Sequence, residues 1–147
     1  MPHTNDAGLE LIKSAEGLRL RAYPDPGTGG DPWTIAYGHT ASVHPGEVCS
    51  PEQATEWLRN DVAAAEHAVA TLVTVQLTAN QFSALVSFAY NVGTGNFASS
   101  TLLHCVNEKA FANAALQFGR WVYAGGAAMP GLVTRRAQEA KLFATPG

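Results

Sequence analysis

Charge is scarce in this chain. Asp, Glu, Lys and Arg together make up 14% of its 147 residues, and the net charge is −3. A nucleic-acid or anionic-surface binder would carry a basic excess, and none is present. Cysteine is scarcer still, with only Cys49 and Cys105. Neither stands at metal-ligand spacing from other ligands, which argues against a zinc site. Their sequence separation does not decide whether they pair; two unpaired thiols are expected, because no signal peptide points to an oxidising compartment. The N-terminal stretch MPHTNDAGLELIKSAEG lacks a basic region followed by an apolar one. No run approaches the roughly 20 apolar residues needed to span a membrane. The expectation is a soluble protein made in the cytoplasm, which would need something else to let it out. Repeats, low-complexity tracts and flexible linkers are also missing.

Apolar residues are plentiful at 46%, enough for one folded domain with a substantial core. Asp6 can cap a helix that runs to Glu16, with Leu9, Ile12 and Lys13 at helical spacing and Gly17 as its stop. Residues 18–24 alternate as a strand does, DPGTGGDP is dense in turn residues, and WTIAYGHT is β-branched and aromatic. Ser50-Pro51-Glu52-Gln53 is a helix start with a capping box, and apolar spacing predicts one long helix over 51–72. Thr78-Ala79-Asn80-Gln81 opens a second capped helix that stops near Gly93. Ser99 or Ser100 caps a short helix, another carries Phe111 to Val122, and a last one carries Arg135, Arg136, Leu142 and Phe143. Gly125-Gly126 and Pro130-Gly131 bracket a loop.

The expected fold class is therefore α+β in a single domain over 1–147. A small antiparallel β lobe (18–49) is joined by the long connecting helix (51–72) to a mostly helical lobe (1–17 and 78–147).

The chemistry concentrates between Glu16 and His39, in EGLRLRAYPDPGTGGDPWTIAYGH. Two carboxylates in different environments are the minimum equipment for cleaving a glycosidic bond. Glu16 falls in the last turn of a helix, whose partial negative charge disfavours an ionised carboxylate and suits a proton donor. Leu18 and Leu20 would add an apolar setting. Asp25, in a polar Gly/Thr turn, suits the carboxylate that stays charged, and Thr34 can hold a water by its hydroxyl. Plainer roles stand beside these. Two acids this far apart occur in most proteins by chance. Asp25 can merely cap its turn, and Asp31 in the same loop can claim the second role. His39 is more often a structural hydrogen-bonder than a base. Arg135 and Arg136 are by default a solvated helix face. Trp57, Phe82, Phe88 and Phe118 read most simply as core, and Trp33, Tyr37 and Tyr90 either as core or as rings on which a sugar stacks.

The segment SAEGLRLRAYPD…WTIAYGHT resembles the active-site signature of the phage-type lysozymes, the endolysins of glycoside hydrolase family 24. LTANQFSALVSFAYNVGTGNFASSTLL resembles that family's central bundle helices, and RW…PGLVTRRAQEAKLF its C-terminal arginine-bearing helix. The resemblance implies the lysozyme-like fold and an N-acetylmuramidase, which hydrolyses the β-1,4 bond between N-acetylmuramic acid and N-acetylglucosamine in peptidoglycan without metal or cofactor. It implies Glu16 as general acid, Asp25 as the water-orienting carboxylate and Thr34 as the assisting hydroxyl, in an inverting reaction. It further implies that Arg135 pairs with the catalytic glutamate, that Asp61 pairs with His39, and that Thr40, Tyr90 and Ser100 contact sugar. The implied partner is bacterial peptidoglycan, with no nucleic acid, no stable membrane insertion and a monomeric state. The implied route is synthesis in the host cytoplasm and release through a holin-type pore.

Three departures from the family pattern bear on function. The loop between Asp25 and Thr34 is longer than in the shorter members and contains Asp31. Ala36 replaces the glycine usual in T-I-G-x-G-H, and Ala15 a bulkier residue. An acidic net charge is unusual for an enzyme that works on an anionic wall, and predicts modest or salt-sensitive affinity. A catalytically silent wall-binding module and a lytic transglycosylase or chitinase-like enzyme are the alternatives. Intact Glu16, Asp25 and Thr34 argue against the first, and Asp25 against the transglycosylase, which manages without a second carboxylate.

Overall fold

The computed structural model describes residues 2–146. The fold is α+β: helices dominate, and the larger two-stranded sheet lies early in the chain. In order come α1 (Asp6–Glu16), β1 (Arg19–Tyr23), β2 (Thr34–Ala36), α2 (Pro51–Asp61), α3 (Ala63–Leu72), α4 (Ala79–Val92), α5 (Thr94–Ala98), α6 (Thr101–Asn107) and α7 (Phe111–Gln117). A 3-10 turn (Phe118–Arg120), the strands β3 (Tyr123–Ala124) and β4 (Ala127–Ala128), and α8 (Pro130–Ala144) complete the chain. Two compact units result. A β unit spans Glu16–Ala63, and a helical unit takes the chain up to Ala15 together with everything from Ala64 on.

Both expected capping boxes are present. Ser50 accepts from Gln53 N while the Gln53 side chain returns to the Ser50 N–H, and Thr78 and Gln81 do the same. Each cap satisfies N–H groups that a helix start otherwise leaves unpaired. The single helix expected over 51–72 is a correction. The structure divides it at Val62, whose N–H donates to Asn60 O and Leu58 O. Asn60, Asp61 and Val62 are three weak helix formers in succession, so the ladder is least stable there. The boundary between the two units falls at the same place. Helix α7 ends at Gln117, so Val122 lies outside it, and the loop expected around Gly125-Gly126 is a two-residue turn joining β3 to β4. Glycines at φ +61° and +84° there are what such a hairpin turn requires.

The helical unit is built on α4, whose residues Phe82 to Ala89 are all buried and pack on α8. Phe88 meets Phe118, Trp121 and Phe97 edge-on at 5.5, 5.5 and 6.3 Å between ring centres. Burying each such ring stabilises by about 1.5–3 kcal/mol. Arg135 and Arg136 do not form the solvated face expected of them. They are 4% and 1% exposed, because Glu139 lies one turn on and draws both inward. Glu139 Oε2 accepts from Ser87 Oγ at 2.5 Å, from Arg136 Nη2 at 3.2 Å and from Arg135 Nε at 3.3 Å. Arg136 Nε lies 2.7 Å from Glu139 Oε1 as an ion pair, though too poorly aligned to count as a hydrogen bond. Burial pushes the Glu139 carboxyl above its ordinary value and the Arg136 guanidinium below its own, and their mutual attraction opposes both.

Cys49 and Cys105 are both free and buried. Burial, with Glu47 nearby, raises the Cys49 thiol, so it resists ionisation. No helix among the described residues is long and apolar enough to cross a membrane.

Glu139→Gln leaves two buried arginines short of their counter-charge. Urea denaturation should show a loss of about 3–5 kcal/mol. A loss under about 1 kcal/mol would mean the network is compensated elsewhere.

Candidate active site

The β unit has its own small core of Ala22, Ile35, Ala36, Cys49 and Ala54, flanked by Trp33, Tyr37, Val43 and Trp57. Tyr23 and Thr34 face each other across β1 and β2, and Arg19 faces Ala36, with an irregularity between. Residues 47–49 add a third edge through Ala22 N donating to Glu47 O (2.8 Å) and Cys49 N to Leu20 O (2.9 Å).

Glu16 is the last residue of α1, followed by Gly17 at φ +75°, a left-handed stop that suits glycine. Its side chain is exposed. The apolar setting expected from Leu18 and Leu20 is a correction: both are themselves about two-fifths exposed, at 40% and 42%. The turn after β2 comes close to the carboxylate. A β-carbon on Gly38 would lie 3.3 Å from Glu16 Oε1, and Gly38 itself sits at φ +84°. The positive φ favours glycine there, and a β-carbon would crowd the end of the Glu16 side chain.

Asp25 anchors the following loop. Its Oδ2 accepts from Gly27 N (2.9 Å) and Thr28 N (3.1 Å). Its carbonyl accepts from Gly29 N (2.8 Å) and its N–H donates to Gly30 O (2.9 Å). The turn-capping role is therefore real, and it holds the carboxylate in one orientation. Oδ1 has no hydrogen-bond partner among the described residues. Asp31, the rival, is exposed at the far end of the loop, before a cis bond to Pro32; it offers its carbonyl, not its carboxylate, to Thr28 Oγ1 (2.7 Å). Thr34 begins β2, half-buried, and its hydroxyl has no partner among the described residues. Glu16, Asp25 and Thr34 thus all belong to the β unit.

His39 is held from several directions. Its backbone exchanges both hydrogen bonds with Ile35, at 2.9 Å each. Its Nδ1 lies 2.7 Å from Asp61 Oδ2, the pair that the family resemblance implied. Its ring stacks on Trp57 with centres 4.8 Å apart and planes 13° apart. Trp57 was expected only as core. The signal was available, since Trp57 and Asp61 are four apart on α2 and so share one face.

Ala36 stands at φ +60° with its methyl inside the β-unit core, 1% exposed. Glycine suits the position because of its backbone conformation. Left-handed backbone costs alanine about 1–2 kcal/mol, against about 0.8 kcal/mol returned by burying the methyl, so the substitution is tolerable.

The remaining residues are more dispersed. Thr40 is exposed just beyond His39. Tyr90, Ser100 and Arg135 belong to the helical unit. Tyr90 is half-buried near the end of α4. The Ser100 hydroxyl caps α6, accepting from Leu103 N (3.1 Å) and donating to Phe97 O (2.7 Å). Arg135 Nη2 donates to Ser87 O at 3.3 Å in addition to its contact with Glu139. Among the described residues no group of three or more His, Cys, Asp or Glu side chains could hold a metal ion.

The chain is similar to known proteins along most of its length. The phage lysozyme family profile matches residues 13–139. An endolysin of Bacillus phage PZA is 51% identical over 95% of this chain, but the match covers 54% of that protein, so the chain spans about half the length of this relative. An endolysin of Salmonella phage P22 is 38% identical over 97% of this chain and 99% of its own length. The muramidase domain of SpmX from Asticaccaulis excentricus superposes with a TM-score of 0.91 at 41% identity, covering 99% of this chain and 100% of that domain.

If the His39–Asp61 contact fixes the turn beneath Glu16, the two residues are energetically coupled. A double-mutant cycle with His39→Ala and Asp61→Ala should give a coupling of about 1–3 kcal/mol in urea denaturation. Additive losses would show that the contact contributes little.

Proposed function

Because the chain belongs to the phage lysozyme family, we propose that it is an endolysin that hydrolyses the β-1,4 bond between N-acetylmuramic acid and N-acetylglucosamine in peptidoglycan. The observation that carries this reading is the trio Glu16, Asp25 and Thr34, present in family order within one unit, with one Asp25 oxygen and the Thr34 hydroxyl uncommitted.

In the proposed reaction Glu16 gives its proton to the glycosidic oxygen, which is a poor leaving group until protonated. A water attacks the anomeric carbon from the opposite face. Asp25 Oδ1 takes its proton while the Thr34 hydroxyl holds it in line. The Gly27 and Thr28 N–H groups keep the other Asp25 oxygen still, so the acceptor does not have to be oriented during the reaction. Such an inverting reaction needs room for the water, a separation of roughly 6.5–9.5 Å between the carboxyl groups. Gly38 supports Glu16 from beneath, and the His39–Asp61–Trp57 cluster holds Gly38 in place. Thr40, exposed beside that turn, contacts the glycan.

The biological setting is lysis of a bacterial host: synthesis in the host cytoplasm, release through a holin-type pore, and action as a monomer on the wall without binding nucleic acid. The silent-module and transglycosylase alternatives lack an equivalent use for the turn-fixed Asp25 and the free Thr34 hydroxyl.

Mass spectrometry of digested cell wall tests the reaction. The wild type should release reducing-end disaccharide peptides, and Glu16→Gln should lower the rate by about 10²–10⁴-fold. Full activity in Glu16→Gln would remove the assignment. Asp25→Asn should be comparably damaging. Asp31→Asn should keep most activity; equal damage from Asp31→Asn would transfer the second role to that residue.

A further inference from the structure

We propose that the exposed face of β1 is a second contact surface for the wall polymer, on which Arg19 and Arg21 take the carboxylates of the short acidic peptides that the glycan carries. This rests on the chain being a peptidoglycan hydrolase, and it addresses how an acidic protein engages an anionic wall.

The β unit contains seven Asp or Glu residues against three arginines. Despite that surplus, neither Arg19 nor Arg21 is paired with a carboxylate among the described residues. The nearest acid along the strand edge, Glu47, turns its carboxylate back to His44 N at 3.0 Å. Both arginines are exposed and stand two residues apart on β1.

Arg19 is also braced. The Arg19 guanidinium lies 4.5 Å from the centre of the Tyr23 ring, which limits its freedom before any ligand arrives. Arg21 is bridged to Val48, which is 63% exposed. The flanking backbone bonds make this a non-hydrogen-bonded pair, in which side chains approach most closely. The result is two exposed cations, one of them braced, beside an exposed apolar side chain.

A guanidinium fork matches a carboxylate in a bidentate way. The sugars of the glycan backbone are neutral amides, so the anionic groups on a peptide-bearing strand are the peptide carboxylates. Charge complementarity therefore selects the peptides.

The test is cosedimentation with insoluble cell wall before and after an amidase has stripped its peptides, at low and high salt. Wild type should bind the peptide-bearing wall more tightly than the stripped glycan. Arg19→Gln/Arg21→Gln should weaken binding to the peptide-bearing wall about tenfold at low salt, with the difference fading at about 1 M salt. Arg19→Lys/Arg21→Lys should recover part of the loss. Equal weakening on both polymers, or none on either, would overturn the proposal. Stripping the peptides hydrolyses the lactyl–peptide amide and frees a lactyl carboxylate on each muramic sugar, so those carboxylates are converted to neutral amides before the comparison. Circular dichroism of the variants excludes misfolding as the cause. Wild type binding to neither polymer would remove the peptidoglycan reading itself, a result distinct from selective failure of the arginine variants.

Discussion

The 2.7 Å contact between His39 Nδ1 and Asp61 Oδ2 is the constraint on which the β unit depends. It ties the turn after β2 to the last residue of α2, and Trp57 stacked on the imidazole fixes the ring plane. The turn so held contains Gly38, which lies close to the Glu16 carboxylate. Because a β-carbon at Gly38 would stand 3.3 Å from Glu16 Oε1, fold and chemistry meet at a position with no side chain.

The second carboxylate is handled differently. Asp25 organises its loop with one oxygen and the carbonyl, leaving the other oxygen uncommitted. A turn cap and a water-binding carboxylate are thus compatible in one residue, and the structural reading of Asp25 does not compete with the catalytic one. The contrast with Asp31 follows from the same geometry, since the loop hydrogen bonds converge on Asp25 and leave the Asp31 carboxylate out.

Much of this was legible from residues alone where the signal is local. The capping boxes at Ser50 and Thr78, the glycine stop after Glu16 and the two strands follow from short-range chemistry. What escaped depends on long-range burial or on a single dihedral. Arg135 and Arg136 read as a solvated face because nothing local says that Glu139 is buried opposite Ser87. The division at Val62 breaks a pattern whose apolar spacing runs on unbroken. The φ of +60° at Ala36 is invisible in a residue that usually avoids it, although the family's glycine at that position was a clue. For the site, the motif named Glu16, Asp25 and Thr34, but the exposure of Glu16 and its closeness to Gly38 emerge only from the folded β unit.

The central claim is that Glu16 and Asp25 cleave the bond with a water held between them, and the stereochemistry of the product tests it most directly. Proton NMR of the first-formed reducing end, recorded faster than mutarotation, should show the α-anomer, inverted from the β-linked substrate. A β-anomer, or a 1,6-anhydro sugar with no reducing end, would contradict the account, because neither arises from a single attack by a water that Asp25 and Thr34 position.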